Sequence, residues 1–331
     1  MAMLLLDRSG LELSCDGNAL AVHEAGRRRS TVPVKLLERC VIHSASTRLD
    51  SGVLLKLADA GVATVLLSPR AQRRVAVILG PAHNDAGVRL VQAQRVLNEA
   101  YCLRWSRELV RSKLRHQHRM LERWKTERAD ARKPLTDAGA VVAQALMRLS
   151  DVSSPLTLEQ LRGVEGAAAR AHFSGLAAVL PPAFGFSGRN RRPPRDPINA
   201  MLSLGYTMLH AEAIQACHKI GIDPLLGYYH RPSYGRESMA SDLIEPLRAQ
   251  VDDWVRELAR TRTLRLDHFS NDRSACLLGK AGRSIFYTQW ASASRPWHRW
   301  LRRTTAGIAR DLRNEGDRLL SEIGDYEADE S

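Results

Sequence analysis

Three separated stretches carry side chains able to grip a divalent cation. The first, Leu161-Arg-Gly-Val-Glu-Gly-Ala-Ala-Ala-Arg170, places Glu165 between Gly163 and Gly166. The second, Leu226-Gly-Tyr-Tyr-His230, ends on a histidine, and the third, Ser241-Asp-Leu-Ile-Glu-Pro246, offers Asp242 and Glu245. Carboxylate, imidazole and carboxylate suit Mg²⁺ or Mn²⁺, and the nitrogen donor tilts the set toward Mn²⁺. Such an ion polarises a phosphoryl oxygen and helps deprotonate an attacking hydroxyl, with no covalent enzyme intermediate. Taken singly, each residue also fits a plainer role. Glu165 fits a surface carboxylate on a tightly packed helix, His230 a satisfied structural histidine, and Asp242 and Glu245 exposed partners of nearby arginines. The glycines around Glu165 cost a helix roughly 1 kcal/mol each relative to alanine, so close approach of another backbone or of a ligand is expected there.

The chain that must position these groups has 331 residues, enough for two domains with separate cores. Its net charge of +13, from 49 basic and 36 acidic residues, points to a polyanionic partner, above all nucleic acid, because Lys and Arg displace counterions condensed on phosphates. A membrane surface is the weaker reading, since no purely basic block flanks an apolar anchor. No apolar run approaches the ~18 residues that span a bilayer. Met1–Leu6 is too short for the apolar part of a signal peptide. Five scattered cysteines without a Cys-x-x-Cys pair fit reduced thiols in a cytoplasmic protein and argue against a zinc site.

The patterning predicts an α+β protein: a small β-rich N-terminal domain over 1–80, then a larger all-α domain over 81–331. Leu11, Leu13 and Cys15 alternate with polar residues up to Asp16-Gly17, a hairpin signal in which both turn positions want positive φ. Ser51 to Ala60 reads as a helix ended by Gly61, and Val62 to Leu67 as a buried strand. From Asp85 to about Arg128 the apolar period becomes helical, with Arg104, Arg107, Arg111, Lys113 and Arg115 forming either a solvated face or a phosphate track. A helix resumes from Asp137 to Leu149. Thr157 and Gln160 form a capping box for the helix that carries Glu165. The Pro/Gly loop 181–194 holds Arg189, Arg191 and Arg192, and Asp196-Pro197 opens a helix that Gly221 ends. A helix from about Ser238 to Arg260 is expected to kink at Pro246, and helices continue to about Ile323, leaving a frayed acidic tail.

Four linked motifs, 161–170, Phe186 to Tyr206, Gly221 to His230 and Asp242 to Arg248, together resemble the CRISPR-associated spacer-acquisition integrase, the metal-dependent core subunit of CRISPR adaptation. The resemblance covers most of residues 85–300 in order and spacing. It implies metal ligands at Glu165, His230 and Glu245, with Asp242 as the nearby second carboxylate of the catalytic set, and Mg²⁺ or Mn²⁺ as the ion. It implies dimerisation and DNA-end handling for the domain over 1–80, catalysis for the domain over 81–331, and a homodimer that assembles with a small ferredoxin-like partner subunit on double-stranded DNA, the spacer precursor and the CRISPR repeat. The implied reaction is joining of spacer 3′-hydroxyl ends to repeat phosphates by transesterification, with associated endonuclease activity. His210 stands where many relatives have Tyr, and Ala249 where a Pro is common. Arg189, Arg191, Arg192, Arg236 and Arg248 lie near the motifs and are the expected phosphate contacts, joined by Lys280 and Arg283 beside Gly279 and Gly282. Two other readings stay open: a branched-DNA endonuclease without productive integration, and a non-catalytic basic DNA-binding scaffold.

Overall fold

The structure, a computed structural model, describes residues 2–68, 74–81, 83–151, 156–190, 193–272 and 275–328. Its first part contains β1 (Ala2–Leu6), β2 (Leu11–Asp16), β3 (Ala19–Glu24), β4 (Arg27–Pro33), β5 (Leu37–Ile42), β6 (Thr47–Leu49), α1 (Ser51–Asp59), β7 (Ala63–Leu67) and β8 (Arg74–Ile78). The strands form two four-stranded sheets, ordered β4-β3-β2-β6 and β1-β5-β7-β8. The hairpin between β2 and β3 forms where expected, with one correction. Asp16 pairs with Ala19, so the turn residues are Gly17 and Asn18, and of these only Gly17 has positive φ, at 52°. Glycine at the first turn position with an ordinary second residue matches the right-handed strand twist as well as the expected pair does.

The β1-β5-β7-β8 sheet is buried on both faces, which explains its continuous apolar runs. On β5, Cys40 and Ile42 face a core shared with Leu13, Leu20, Val53 and Leu57. Their neighbour Val41 faces the other way, with Val65 and Leu67 of β7, into the core of the helical domain.

That domain comprises α2 (Ala86–Leu97), α3 (Glu99–Glu127), α4 (Arg132–Ser150), α5 (Leu158–Val179), α6 (Pro197–His218), α7 (Ser238–Ile244), α8 (Arg248–Arg260), the strands β9 (Phe269–Asp272) and β10 (Ala275–Leu278), α9 (Lys280–Ala293) and α10 (Arg295–Ala328). The fold class is as the sequence predicts, α+β with a mainly helical second part. The second part is not wholly α, because β9 and β10 pair antiparallel. The long helix expected over 85–128 is two helices: Asn98 leaves helical geometry (φ −87°, ψ 101°) and its side chain accepts the Tyr101 amide, capping α3. The Thr157–Gln160 capping box forms on α5, and Asp196 caps α6 with Pro197 in its first turn. Pro246 breaks the helix as predicted, leaving a 3-10 turn, Glu245–Leu247, between α7 and α8. At the chain end α10 continues to Ala328, so the segment from Gly324 to there is helical rather than frayed.

Glycine packing departs from expectation in an informative way. A Cβ on Gly163 would meet nothing within 4 Å, and one on Gly166 only the Arg170 side chain at 3.7 Å. The tightly packed glycine of α5 is Gly175, where a Cβ would stand 2.5 Å from Leu121 of α3 and 3.4 Å from Ala138 of α4. The open glycines beside Glu165 therefore serve space around the carboxylate rather than helix packing.

Candidate metal and phosphate site

Glu165 on α5, Lys113 on α3, Glu245 in the 3-10 turn and His230 in the loop before α7 line one cleft of about 410 Å³. Lys113 sits on the inward stripe of α3, four residues after Leu109 and four before Gln117, and its side chain is only 9% exposed. Its ammonium donates to Glu165 and, at 2.6 Å, to Glu245 Oε2. The other Glu245 oxygen accepts Arg248 Nε at 2.8 Å. Burial opposes charge on Glu245, but Arg248, Lys113 and His230 outweigh it and hold the carboxyl well below its ordinary range. Burial likewise opposes charge on Lys113, and Glu245 and Glu165 overcome it, so its pKa is raised.

His230 is delivered by a side chain rather than by regular structure. Asp242, fully buried on α7, accepts the amides of Tyr228, Tyr229 and His230 at 2.8, 3.0 and 3.0 Å. Its Oδ1 also bonds His230 Nδ1 at 2.6 Å. This leaves Nε2 as the imidazole nitrogen available to the cleft. Burial pushes the Asp242 carboxyl up, against the pull of its His230 and amide donors. Gly227 makes the turn possible, since a Cβ there would stand 2.6 Å from the Ser238 backbone. Asp242 and Glu245, three apart in sequence, thus do not share a helical face, although a helix over 238–260 would have given them one. The helix ends between them, and Asp242 ties the His230 loop while Glu245 turns to Lys113 and Arg248.

Among the described residues, no three His, Cys, Asp or Glu side chains stand close enough together to hold a metal as they are. The cation between Glu165 and Glu245 is the Lys113 ammonium. The residues nevertheless fit a divalent ion in charge and donor chemistry. Two carboxylates already converge on one cation, and a histidine whose Nδ1 is fixed by a carboxylate is the usual arrangement for a metal-bound imidazole.

The expected phosphate contacts divide into three groups. Arg189 and Arg248 line the cleft, and Arg236 lines an adjoining hollow of about 480 Å³ with Arg162 and Arg231. Lys280 and Arg283 lie on the first turn of α9 and line neither hollow; Arg283 donates to the Leu278 carbonyl at 3.0 Å. Arg191 and Arg192 lie outside the described residues. His210 is half-buried, bonded to Ser241 Oγ at 3.3 Å, and is not part of the cleft lining. Reading Arg104 to Arg115 as one basic surface missed Lys113. Its signal is the spacing Leu109, Lys113, Gln117, Leu121, which puts a lysine and a glutamine on an otherwise apolar stripe.

Fold and site together define an α+β protein, strand-rich first and mainly helical after, whose helical part carries a carboxylate–histidine cleft edged with arginine. The chain belongs to the family described as CRISPR associated protein Cas1, whose profile matches residues 4–292. It is 34% identical over 325 residues to a CRISPR-associated endonuclease Cas1 of Thermodesulfovibrio yellowstonii, covering 96% of this chain and 99% of that protein. Among solved structures, a casposase bound to its integration product superposes with a TM-score of 0.82 at 20% identity, covering 95% of this chain and 91% of the other. A chain of a Cas6-RT-Cas1–Cas2 complex superposes with a TM-score of 0.77 at 21% identity, covering 95% of this chain and 35% of the other. At these identities the two structures speak to fold. Among the described residues, no helix is long and apolar enough to cross a membrane.

Proposed function

We propose that this chain is a metal-dependent DNA endonuclease and integrase of CRISPR adaptation, joining spacer 3′-hydroxyl ends to repeat phosphates by transesterification. The observation that carries the reading is the convergence of Glu165 and Glu245 on one cation, beside a histidine locked by Asp242, in an arginine-edged cleft. The family membership and the endonuclease naming of a relative matched almost end to end support it. Glu165, Glu245 and His230 Nε2 would hold Mg²⁺ or Mn²⁺. When bound, such an ion supplies Lewis-acid polarisation of a phosphoryl oxygen and eases deprotonation of the attacking hydroxyl. Arg248, Arg189 and Arg236 bind and orient the DNA phosphates. Lys113, donating to both Glu165 and Glu245, offsets the repulsion between the paired carboxylates. In joining, the spacer 3′-oxygen forms a bond to the repeat phosphorus as the bond to the repeat 3′-oxygen breaks, and the attacking hydroxyl's proton passes to that leaving oxygen or to solvent. Water in place of the hydroxyl gives endonuclease action. The double-stranded DNA substrates, a homodimer and a small ferredoxin-like partner subunit complete the proposed assembly.

The test is a gel assay of 3′-hydroxyl DNA joined to a supercoiled repeat plasmid with Mn²⁺ or Mg²⁺, with the small partner subunit supplied. Joining by the wild type and its loss in Glu165→Ala, His230→Ala and Glu245→Ala is expected. Retained joining in those variants overturns the site. Flap cleavage without joining makes the chain a branched-DNA endonuclease, and metal-independent binding without strand chemistry makes it a scaffold.

A further inference from the structure

We propose that Tyr206 is a positioning residue: its ring is the platform that sets Arg189 and Arg248 in the cleft, and a buried Asp252–His172 pair holds that ring in place. This inference rests on the reading of the cleft as a DNA-phosphate site.

The Arg248 guanidinium carbon lies 4.6 Å from the Tyr206 ring centroid, and that of Arg189 lies 5.5 Å away. Both distances are within the range at which an aromatic ring attracts a cation. The arrangement is built from two helices. On α8, Arg248 and Asp252 are four residues apart and share a face, so one reaches the ring while the other takes its hydroxyl. On α6, Asn199, Ser203 and Tyr206 form another stripe, along which Arg189 donates to Asn199 Oδ1 at 2.8 Å and Ser203 Oγ at 3.1 Å before reaching the ring. The helices approach closely at Gly205, where a Cβ would stand 3.0 Å from Val251.

The hydroxyl end is fixed in the interior. Tyr206 donates to Asp252 Oδ1, and His172 Nε2 bonds Asp252 Oδ2 at 2.9 Å. Asp252 is 1% exposed and His172 is 0% exposed, so the pair is shielded from solvent exchange. Because its proton is committed to a carboxylate, Tyr206 is a poor general acid or nucleophile. Burial also pushes its pKa well above the ordinary phenol value. What the ring offers the cleft is its face, which fixes the spacing of two guanidinium groups, one of them also bound to Glu245. Guanidinium groups held in a set plane suit the oxygens of a DNA phosphodiester.

The experiment measures affinity for a 5′-flap duplex by fluorescence anisotropy in EDTA, over a salt series, on the full chain. Each phosphate contact contributes about 0.9 to the slope of log K against log salt. Tyr206→Met is expected to flatten that slope by about 1 to 2, whereas Tyr206→Phe, which keeps the ring and loses only its anchor to Asp252, should flatten it by less than half as much. Tyr206→Met added to Arg189→Gln should cost less than it does alone, because the share of its effect that passes through Arg189 is already lost, leaving the share that passes through Arg248. A folded Tyr206→Met with the wild-type slope, or equal flattening in the Phe and Met variants, overturns the proposal while leaving the DNA reading intact. A wild type with no salt-dependent binding overturns both. If Tyr206→Met melts below the assay temperature, side-chain NMR of the wild type decides. The Arg189 and Arg248 Nε–H signals, assigned by Arg→Gln variants, should be shifted upfield by the ring and move again on adding the duplex; signals unshifted or indifferent to DNA overturn the platform.

Discussion

At the seam between the strand-rich part and the helices, Glu212 of α6 accepts Arg39 Nη1 of β5 at 2.6 Å and the Trp290 indole at 3.0 Å, and its second oxygen lies 2.5 Å from His298 Nε2. In the cleft, Glu165 and Glu245 share one lysine ammonium. Both clusters put carboxylates against buried cations, and they differ in the kind of cation. Arg39 is a planar fork on a strand, with its second nitrogen tied to Gln215 at 3.0 Å. Lys113 is a point charge on a flexible four-carbon stem, able to swing aside without disturbing the backbone. The first cluster joins the strand-rich part to the helices; the second sets one ammonium between two carboxylates that would otherwise repel each other.

The largest effect that separates the clusters is on stability. Glu212→Ala leaves Arg39 buried without its carboxylate and should cost about 3–5 kcal/mol in denaturant unfolding, with Mn²⁺ binding by the folded fraction unchanged. A loss under 1 kcal/mol would mean that the seam is held by packing alone.

A second effect at the seam depends on pH. His43 of the loop after β5 bonds Tyr287 of α9 at 2.8 Å, and burial, with the Arg283 charge, lowers its pKa to about 4. The unfolded chain takes up that proton near pH 6.5, the folded one only near 4, so stability is full above 6.5 and falls as pH drops through this window. The loss amounts to about 3 kcal/mol. His43→Gln should flatten the profile there; an unchanged profile assigns the pH dependence elsewhere.

In the cleft the predicted changes have opposite signs. Asp242→Asn, which weakens the lock on His230, should reduce Mn²⁺ affinity by about 10- to 100-fold in calorimetry. Lys113→Met, which removes the competing ammonium, should increase it by about tenfold, or roughly 1.4 kcal/mol. Equal weakening by both variants would make Lys113 part of the metal's support rather than its competitor.

The smallest contrast lies within α5. Gly163→Ala, with open space for its Cβ, should stabilise the chain by up to about 1 kcal/mol, and Gly175→Ala should destabilise it by crowding Leu121. The two melting shifts should differ in sign.

Much of this was legible in the chain itself. The capping residues Thr157 and Asp196, the break at Pro246 and the left-handed Gly61 and Gly221 act locally, so local patterns reveal them. The coming together of Glu165, His230 and Glu245 at one cleft was legible only as a set of motifs, because no local rule brings α3, α5 and the 3-10 turn together. Lys113 was misplaced since a basic residue among many arginines reads as solvated until its register on the apolar stripe is counted. The Asp242 role was hidden by a helix assumed to continue: residues three apart share a face only while the helix lasts. The β9–β10 pair escaped because its strands are four residues long and β9, with Ser270, Asn271 and Asp272 all exposed, buries little apolar surface.

The knot that Asp242 ties around residues 228–230 also sets the terms for sequence drift. Residues Pro232 to Gly235, the far side of that loop, are exposed, with Tyr234 standing wholly in solvent. They can change in length and composition without releasing His230, because one carboxylate fourteen residues downstream of Tyr228 holds the near side. Variation among natural or engineered versions of this chain should therefore gather at the loop's outer edge, where new substrate preferences can be tried, while position 242 admits little but aspartate.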